Sequence, residues 1–282
     1  MAANTKTVGL LCADPSDLYL SKALYLIDKK LSENGIQSML CATGYTFARK
    51  QESLKLILSK KVDAVVLVGS HFVSHDDKEN EYIRNAAKQL PVILLNGELD
   101  HPGVFFCSSD SYSATKEATL SLIDEGVQDL LYYYDTQSYS GKKKQAGFID
   151  ACSDRGVTNT FQLLSVGERD DIDDVASRLE RLSESGIRFT GIVASEDYLA
   201  VGALKFAKRN GIHVPKELQV IGYNNSLLSK CCEPELTSVD NHLDELCDHI
   251  ANAAINVLTR GAFPERMILR GELVKRGSTR FQ

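Results

Sequence analysis

What most constrains this sequence is a rhythm. Short runs of β-branched and apolar residues alternate with longer stretches of helical period over most of its length. Residues 7–12 (TVGLLC) read as a strand, and residues 17–34 as a helix stopped by Gly35. Residues 36–41, 64–68, 92–95, 130–134, 161–166, 191–194 and 218–222 read as buried parallel strands. Residues 47–60, 78–90, 111–125, 141–155, 172–185 and 197–210 read as the helices between them. Gly126, Gly156, Gly186 and Gly211 stand where helices should end, each where a left-handed C-terminal cap is needed. Such a repeat predicts an α/β fold, doubly wound, with parallel sheets covered by helices on both faces.

Ten or so strand–helix pairs exceed one open sheet, so the chain is expected to form two Rossmann-like lobes, divided near residues 105–110 where a strand runs on without a linker. A strand at 237–239, a helix at 241–260 and strands at 267–270 and 272–275 then carry the chain back across. The expected N-terminal lobe is 6–107 with 241–268 and the expected C-terminal lobe 108–240 with 269–280, joined by three crossover segments, with 1–5 the remnant of a linker. No low-complexity tract separates them, which predicts a hinge of several short connections rather than one flexible tether.

Composition removes whole classes of function. Hydrophobic residues make up 43% and charged residues 25% of the 282, an ordinary globular balance that excludes disordered and fibrous readings. No apolar run approaches the roughly 20 residues of a membrane span, and residues 1–7 lack the apolar core of a signal peptide, so the expected location is cytoplasmic. The seven cysteines (Cys12, Cys41, Cys107, Cys152, Cys231, Cys232, Cys247) are odd in number and never spaced C-x-x-C, which reads as reduced thiols. Basic residues are interleaved with acidic ones at a net charge of -6, so this stretch of chain forms no basic face for nucleic acid.

The common enzyme motifs are missing: no G-x-G dinucleotide turn, no phosphate loop, no G-x-S-x-G elbow, no H-E-x-x-H helix. The expectation is a protein that is not an enzyme, with no cofactor and no metal. His242 and His249 lie about 10 Å apart along a helix, too far to share a metal alone. Asp170, Asp171, Asp173 and Asp174 fall where a helix N-terminus is expected and complement its dipole. Cys231 and Cys232 read as packing, and Lys142 and Lys143 as a solvated turn.

What remains are polar residues just after strand carboxyl ends: residues 14–19, 69–71, 96–98, 110, 135–139, 196–197 and 224–225. Ligands of open α/β sheets lie outside those ends, so these segments would line one shared crevice if the two lobes face each other. Carboxylates and amides suit a polyhydroxylated ligand, and Tyr19 offers an apolar face to a sugar ring.

From about residue 6 to residue 279 the chain resembles the effector-binding core of LacI/GalR-type bacterial transcription regulators. That fold is shared with type I periplasmic binding proteins for ribose and galactose. The resemblance rests on VDAVVLVGS (62–70), KQAGFIDAC (144–152), GIVASEDYLAVGALKFAKRNGIHVPKELQVIGYNN (191–225), ELTSVDN (235–241) and ELVKRGSTR (272–280). It implies a sugar-like effector between the lobes and a homodimer formed mainly through the N-terminal lobe. Operator DNA would be held only through a helix-turn-helix headpiece and hinge helix ahead of this core, and residues 2–7 look like the tail of that hinge.

Carried over by position, the effector site would comprise Asp17, Tyr19, Asn96, Asp110, Lys144, Glu196, Asp197, Asn224 and Asn241. Several depart from the family's habit. Asp17-Leu18 replaces Asn-Pro, Lys144 an arginine, Glu196-Asp197 an Asn-Asp, and Asn224-Asn225 an Asp-Asp. Lysine in place of arginine exchanges a bidentate fork for a point charge. Asp17, Asp110 and Glu196 against Lys144 predict a neutral or amino sugar over a sugar phosphate. The apolar face of the first helix (Leu20, Ala23, Leu24, Ile27, Leu31) reads either as dimer surface or as core. A sugar-binding protein of a transport system is the alternative function, disfavoured by the seven thiols and the missing signal peptide.

Overall fold

β-branched runs flanked by amphipathic helices satisfy their backbone in sheets and bury both sheet faces under helices. The computed structural model of the chain describes residues 5–164, 171–259 and 264–281, Leu164 by its backbone alone. In chain order the elements are β1 (Thr7–Cys12), α1 (Leu18–Glu33), β2 (Gln37–Ala42), α2 (Phe47–Ser59), β3 (Ala64–Val68), α3 (Glu81–Ala87), β4 (Val92–Leu95) and β5 (Val104–Ser109). There follow α4 (Ser111–Asp124), β6 (Leu130–Tyr134), α5 (Tyr139–Asp154), β7 (Thr160–Leu164), α6 (Ile172–Glu184), β8 (Gly191–Ala194) and α7 (Asp197–Arg209). The chain closes with β9 (Gln219–Tyr223), α8 (Leu227–Cys231), β10 (Thr237–Asp240), α9 (Leu243–Thr259), β11 (Arg266–Leu269) and β12 (Glu272–Val274). Among the described residues no helix is long and apolar enough to cross a membrane, and all seven cysteines are free thiols.

The chain divides into two units, Met1–Ser109 with His242–Leu269 and Asp110–Asn241 with Arg270–Gln282. The first holds a six-stranded sheet in the order β11-β5-β4-β3-β1-β2, every pair parallel. Its centre is β3, whose five residues are fully buried, as a strand covered on both faces requires. Leu20, Ala23, Leu24, Ile27 and Leu31 of α1 pack with Leu246, Ile250 and Ala254 of α9 over β1, β3 and β4. The apolar face of α1 is therefore core.

The second unit holds a six-stranded sheet in the order β12-β10-β9-β8-β6-β7, parallel except for β12, which runs antiparallel to β10. Helices α6 and α7 bury one face through Val175, Leu179, Leu199 and Phe206. Helices α4 and α5 bury the other through Ala118, Leu122, Phe148 and Cys152. Gly126, Gly156, Gly186 and Gly211 all have positive φ just past helix ends, the conformation that only a residue without Cβ takes freely.

Two local expectations need correction. The apolar content of residues 36–41 predicts a buried strand, but β2 is the sheet edge beyond β1, and Gln37, Met39 and Leu40 are exposed. Residues 78–90 do not form one helix: a 3-10 turn (Asp77–Asn80) precedes the short α3. Asn80 is buried with its amide folded back on the backbone of Ser74, donating to its carbonyl (2.9 Å) and accepting from its N–H (2.8 Å), and that local pairing competes with a regular helix start. The ends of the expected strand 161–166 and helix 241–260, residues 1–4 and Asp170 lie outside the described residues.

Candidate functional site

In the first unit the polar residues gather after β1 and β4. Asp17 is the N-cap of α1, its carboxylate accepting from the Leu20 N–H at 2.9 Å. Two residues on, Tyr19 points its hydroxyl at Asn96, whose side-chain N–H donates to it at 2.6 Å. Asn96 follows β4 with φ +58°, a left-handed conformation that asparagine tolerates better than branched residues. Its side-chain oxygen accepts from the Ser109 N–H at 3.1 Å, so one amide ties the ends of β4 and β5 and holds Tyr19. Beside it the Ser108 hydroxyl donates to Glu98 at 3.0 Å.

In the second unit the arrangement is a chain of charged and amide groups. Helix α5 opens with Ser138, which accepts from the Gly141 N–H, and buries Gly141, Lys144, Gly147, Phe148, Ala151 and Cys152 along one stripe. Lys144 thus occupies a core position. Its ammonium donates to the Ser195 carbonyl (2.7 Å) and to Glu196 Oε1 (3.0 Å), and lies 3.9 Å from the centroid of the Tyr223 ring. Glu196 Oε2 accepts from the Asn224 amide, and the Asn224 side-chain oxygen accepts from Asn241 at 3.1 Å. Burial pulls the Lys144 ammonium towards the neutral form. The Glu196 carboxylate and the Tyr223 ring oppose it, and the net displacement is upward, holding the cation charged.

Asp197 is buried one residue on, accepting from the Ser226 N–H and hydroxyl (both 2.7 Å) and the Ser238 hydroxyl (2.6 Å). Burial raises its pKa against those three hydrogen bonds. Asp110 is the N-cap of α4, accepting from the Ser113 N–H at 3.1 Å. Of the nine residues picked out in the sequence, the structure joins Tyr19 to Asn96 in one unit and Lys144, Glu196, Asn224 and Asn241 in the other. Asp17, Asp110 and Asp197 serve backbone and hydroxyl donors of their own surroundings.

Three residues outside that set complete the second cluster. Asp135, just beyond β6, accepts from the Ser195 hydroxyl (3.2 Å) and the Tyr198 hydroxyl (3.0 Å). Tyr132 and Tyr223 bring buried phenols whose hydroxyls have no hydrogen-bond partner among the described residues. Asp135 belongs to the polar segment 135–139, but its partners lie 60 and 63 residues away, so nothing local marks it. The acidic run at 171–174 is a helix start: Asp171 and Asp174 form a capping box on α6, and Asp173 pairs with Lys205 and Arg209. Among the described residues no group of His, Cys, Asp or Glu could hold a metal ion.

Residues 119–279 match the family described as periplasmic binding protein-like domain. An HTH-type transcriptional regulator of Lachnoclostridium phytofermentans (strain ATCC 700394 / DSM 18823 / ISDg) is 39% identical over 276 residues, 98% of this chain and 83% of that protein. The crystal structure of the lac repressor dimer bound to operator and the anti-inducer ONPF aligns with a TM-score of 0.87, covering 99% of this chain and 95% of that one at 16% identity. A periplasmic binding protein/LacI transcriptional regulator from Alkaliphilus metalliredigens QYMF, complexed with D-xylulofuranose, aligns with a TM-score of 0.80, covering 98% of this chain and 99% of that one at 19% identity. At those identities the two structural likenesses speak for the fold alone.

Proposed function

The chain belongs to the LacI/GalR family of HTH-type transcriptional regulators as its effector-binding core, and on that premise we propose that it senses a small neutral or amino sugar and acts as a cytoplasmic homodimer. Through the DNA-binding headpiece of the full-length protein it sets the occupancy of an operator. Its role is to bind, without catalysis. Tyr19 and Asn96 in the first unit, and Lys144, Glu196, Asn224 and Asn241 in the second, are the proposed effector contacts. Asp17 and Asp110 stand at the starts of α1 and α4, and Asp197 braces the second set through Ser226 and Ser238. The effector acts by its differential affinity for two conformations of the core, which is all that any ligand contributes to such a switch.

The observation that carries the sugar reading is the fate of Lys144. Its ammonium is already committed to a carbonyl, a carboxylate and an aromatic face, so the position where the family resemblance expects an arginine extends no fork to a phosphate. Carboxylate and amide oxygens remain around it, and these accept from vicinal hydroxyls.

Thermal unfolding against sugars, amino sugars, sugar acids, sugar phosphates and purines tests the reading. A ligand at 100 times its dissociation constant adds about 2.7 kcal/mol of apparent stability. The expected result is an upward shift with a neutral or amino sugar. A shift confined to phosphorylated ligands or purines overturns it.

The dimer is proposed to form along the edge strand β2 and the outer face of α1. Leu18, Tyr25, Met39 and Leu40 are exposed there, next to the unpaired backbone edge of the sheet. Sedimentation equilibrium of Tyr25→Glu combined with Leu40→Glu is expected to return monomer where the unaltered chain returns dimer. Unchanged association of the double variant removes this surface from consideration.

A further inference from the structure

We propose that Arg276 is a positioning residue for the effector: it orients the Asn225 amide, and through that amide the bend that presents Asn224. The proposal rests on the sugar reading above, in which Asn224 and Asn241 are effector contacts, and it lies within the second unit.

The bend after β9 needs a hold from outside. Asn224 and Asn225 have φ +95° and +45°, two successive residues of positive φ of which neither is glycine. Residues with a Cβ occupy that region at a cost and persist there where the surroundings over-determine them. The Asn224 N–H donates to the Val239 carbonyl at 2.8 Å, the Asn225 N–H to the Ser238 hydroxyl at 3.0 Å, and the Ser226 N–H to the buried Asp197 at 2.7 Å. The Asn225 side chain closes the bend: its oxygen accepts from the Arg276 guanidinium at 2.5 Å and its N–H donates to Asp240 at 2.8 Å. Asn224, one residue back, shares its own amide between Glu196 and Asn241, so a bend that relaxes displaces the group that joins them.

The chemistry of its partners leaves the Asn225 amide one orientation. A guanidinium only donates and a carboxylate only accepts, so the oxygen faces Arg276 and the nitrogen Asp240. The family resemblance expects aspartate at this position. A carboxylate here would lose the donor to Asp240 and bring two like charges together.

Arg276 is itself fixed. It follows β12 with its side chain 11% exposed, and its guanidinium also donates to the Leu236 carbonyl (2.7 Å) and the Ser229 hydroxyl (3.3 Å) and pairs with Glu235 (3.6 Å). Its backbone N–H donates to the Thr237 hydroxyl at 2.8 Å. Burial raises the pKa of Asp197, and among the influences that oppose it is the charge of Arg276. Arg276 thus acts on the bend twice, on Asn225 by a hydrogen bond and on Ser226 through the charge of Asp197.

Calorimetric titration of the chain with glucose, galactose, ribose, xylose, glucosamine and galactosamine, together with amide hydrogen exchange by NMR, tests the assignment. Arg276→Gln is expected to speed exchange at Asn225 and Ser226 by about tenfold while Ile192 and Val193 of β8 keep their rates, the scale of one hydrogen bond to a charged group. The same variant is expected to weaken the sugar that binds the unaltered chain by about tenfold. Asn225→Asp is expected to weaken it similarly. The double variant Asn225→Asp, Asp240→Asn is expected to recover most of the affinity, because carboxylate and amide then exchange places and Arg276 keeps an acceptor. That recovery is one that a general loss of stability does not produce, and it keeps the test usable should Arg276→Gln fold poorly. Unchanged exchange or unchanged sugar affinity in Arg276→Gln, or a double variant no better than Asn225→Asp, overturns the positioning role and leaves the sugar reading standing. Binding of none of these sugars by the unaltered chain overturns the sugar reading and the positioning role with it.

Discussion

Lys144→Met is expected to destabilise the second unit by about 3 kcal/mol and to abolish any stabilisation by effector. Methionine keeps most of the buried volume, so a cavity is not the cause. The loss is electrostatic: the Ser195 carbonyl forfeits its donor, and the Glu196 carboxylate forfeits the Lys144 ammonium. Removing one partner of a buried pair costs about 3–5 kcal/mol, and Glu196, with 25% of its side chain exposed, belongs at the low end. A midpoint roughly 6–12 °C lower would register it. The double variant Lys144→Met, Glu196→Gln is expected to recover much of the loss, because the carboxylate that faced Lys144 is then removed with it. A single variant as stable as the unaltered chain would show that the pair contributes nothing.

The same pair predicts a pH response. The folded pKa of Lys144 lies above its ordinary value of 10.5, so its contribution is complete below that value and disappears as pH rises through the folded one. The stability gap between the unaltered chain and Lys144→Met should hold constant through neutral pH and close only in strong alkali.

Gly147→Val is expected to be at least as damaging, for a steric reason. A Cβ at Gly147 would lie 2.3 Å from the Tyr112 carbonyl oxygen and 3.1 Å from the Lys116 nitrogen, both backbone atoms of α4. No side chain can rotate to make room, so α4 and α5 must separate and the core they share with Tyr132 and Phe148 must loosen. A loss of about 3 kcal/mol or more follows, measurable by urea unfolding. Gly147→Ala sharpens the test. In an unobstructed helix alanine for glycine stabilises by about 1 kcal/mol, and here the sign should reverse. Stabilisation by Gly147→Ala would mean that the two helices do not approach this closely.

The family resemblance points to Lys144, Glu196, Asn224 and Asn241 one position at a time, and the fold joins them into one hydrogen-bonded chain. The resemblance gives no warning of Asp135, whose meaning depends on Ser195 and Tyr198 arriving from another strand–helix connection. Nor does a run of three lysines announce that Lys142 is exposed, that Lys143 rests 4.8 Å from the centroid of the Tyr139 ring and that Lys144 is buried. The register of α5 against α4 and the sheet makes that distinction.

Local rules account for what the sequence determined alone. Period 2 against period 3.6, glycines at left-handed helix ends and acids at helix starts each act within a few residues, so most of the alternation of strands and helices could be read directly, though not the short α8 (Leu227–Cys231) or the 3-10 turn before α3. The order of strands is a different matter. Residues 36–41 carry the apolar content of an interior strand, yet β2 is exposed because among the described residues β1 alone pairs with it. Which strand lies at an edge, which lysine falls inside and which hydroxyls reach Asp135 depend on contacts between residues far apart in the chain, and only the tertiary structure decides those.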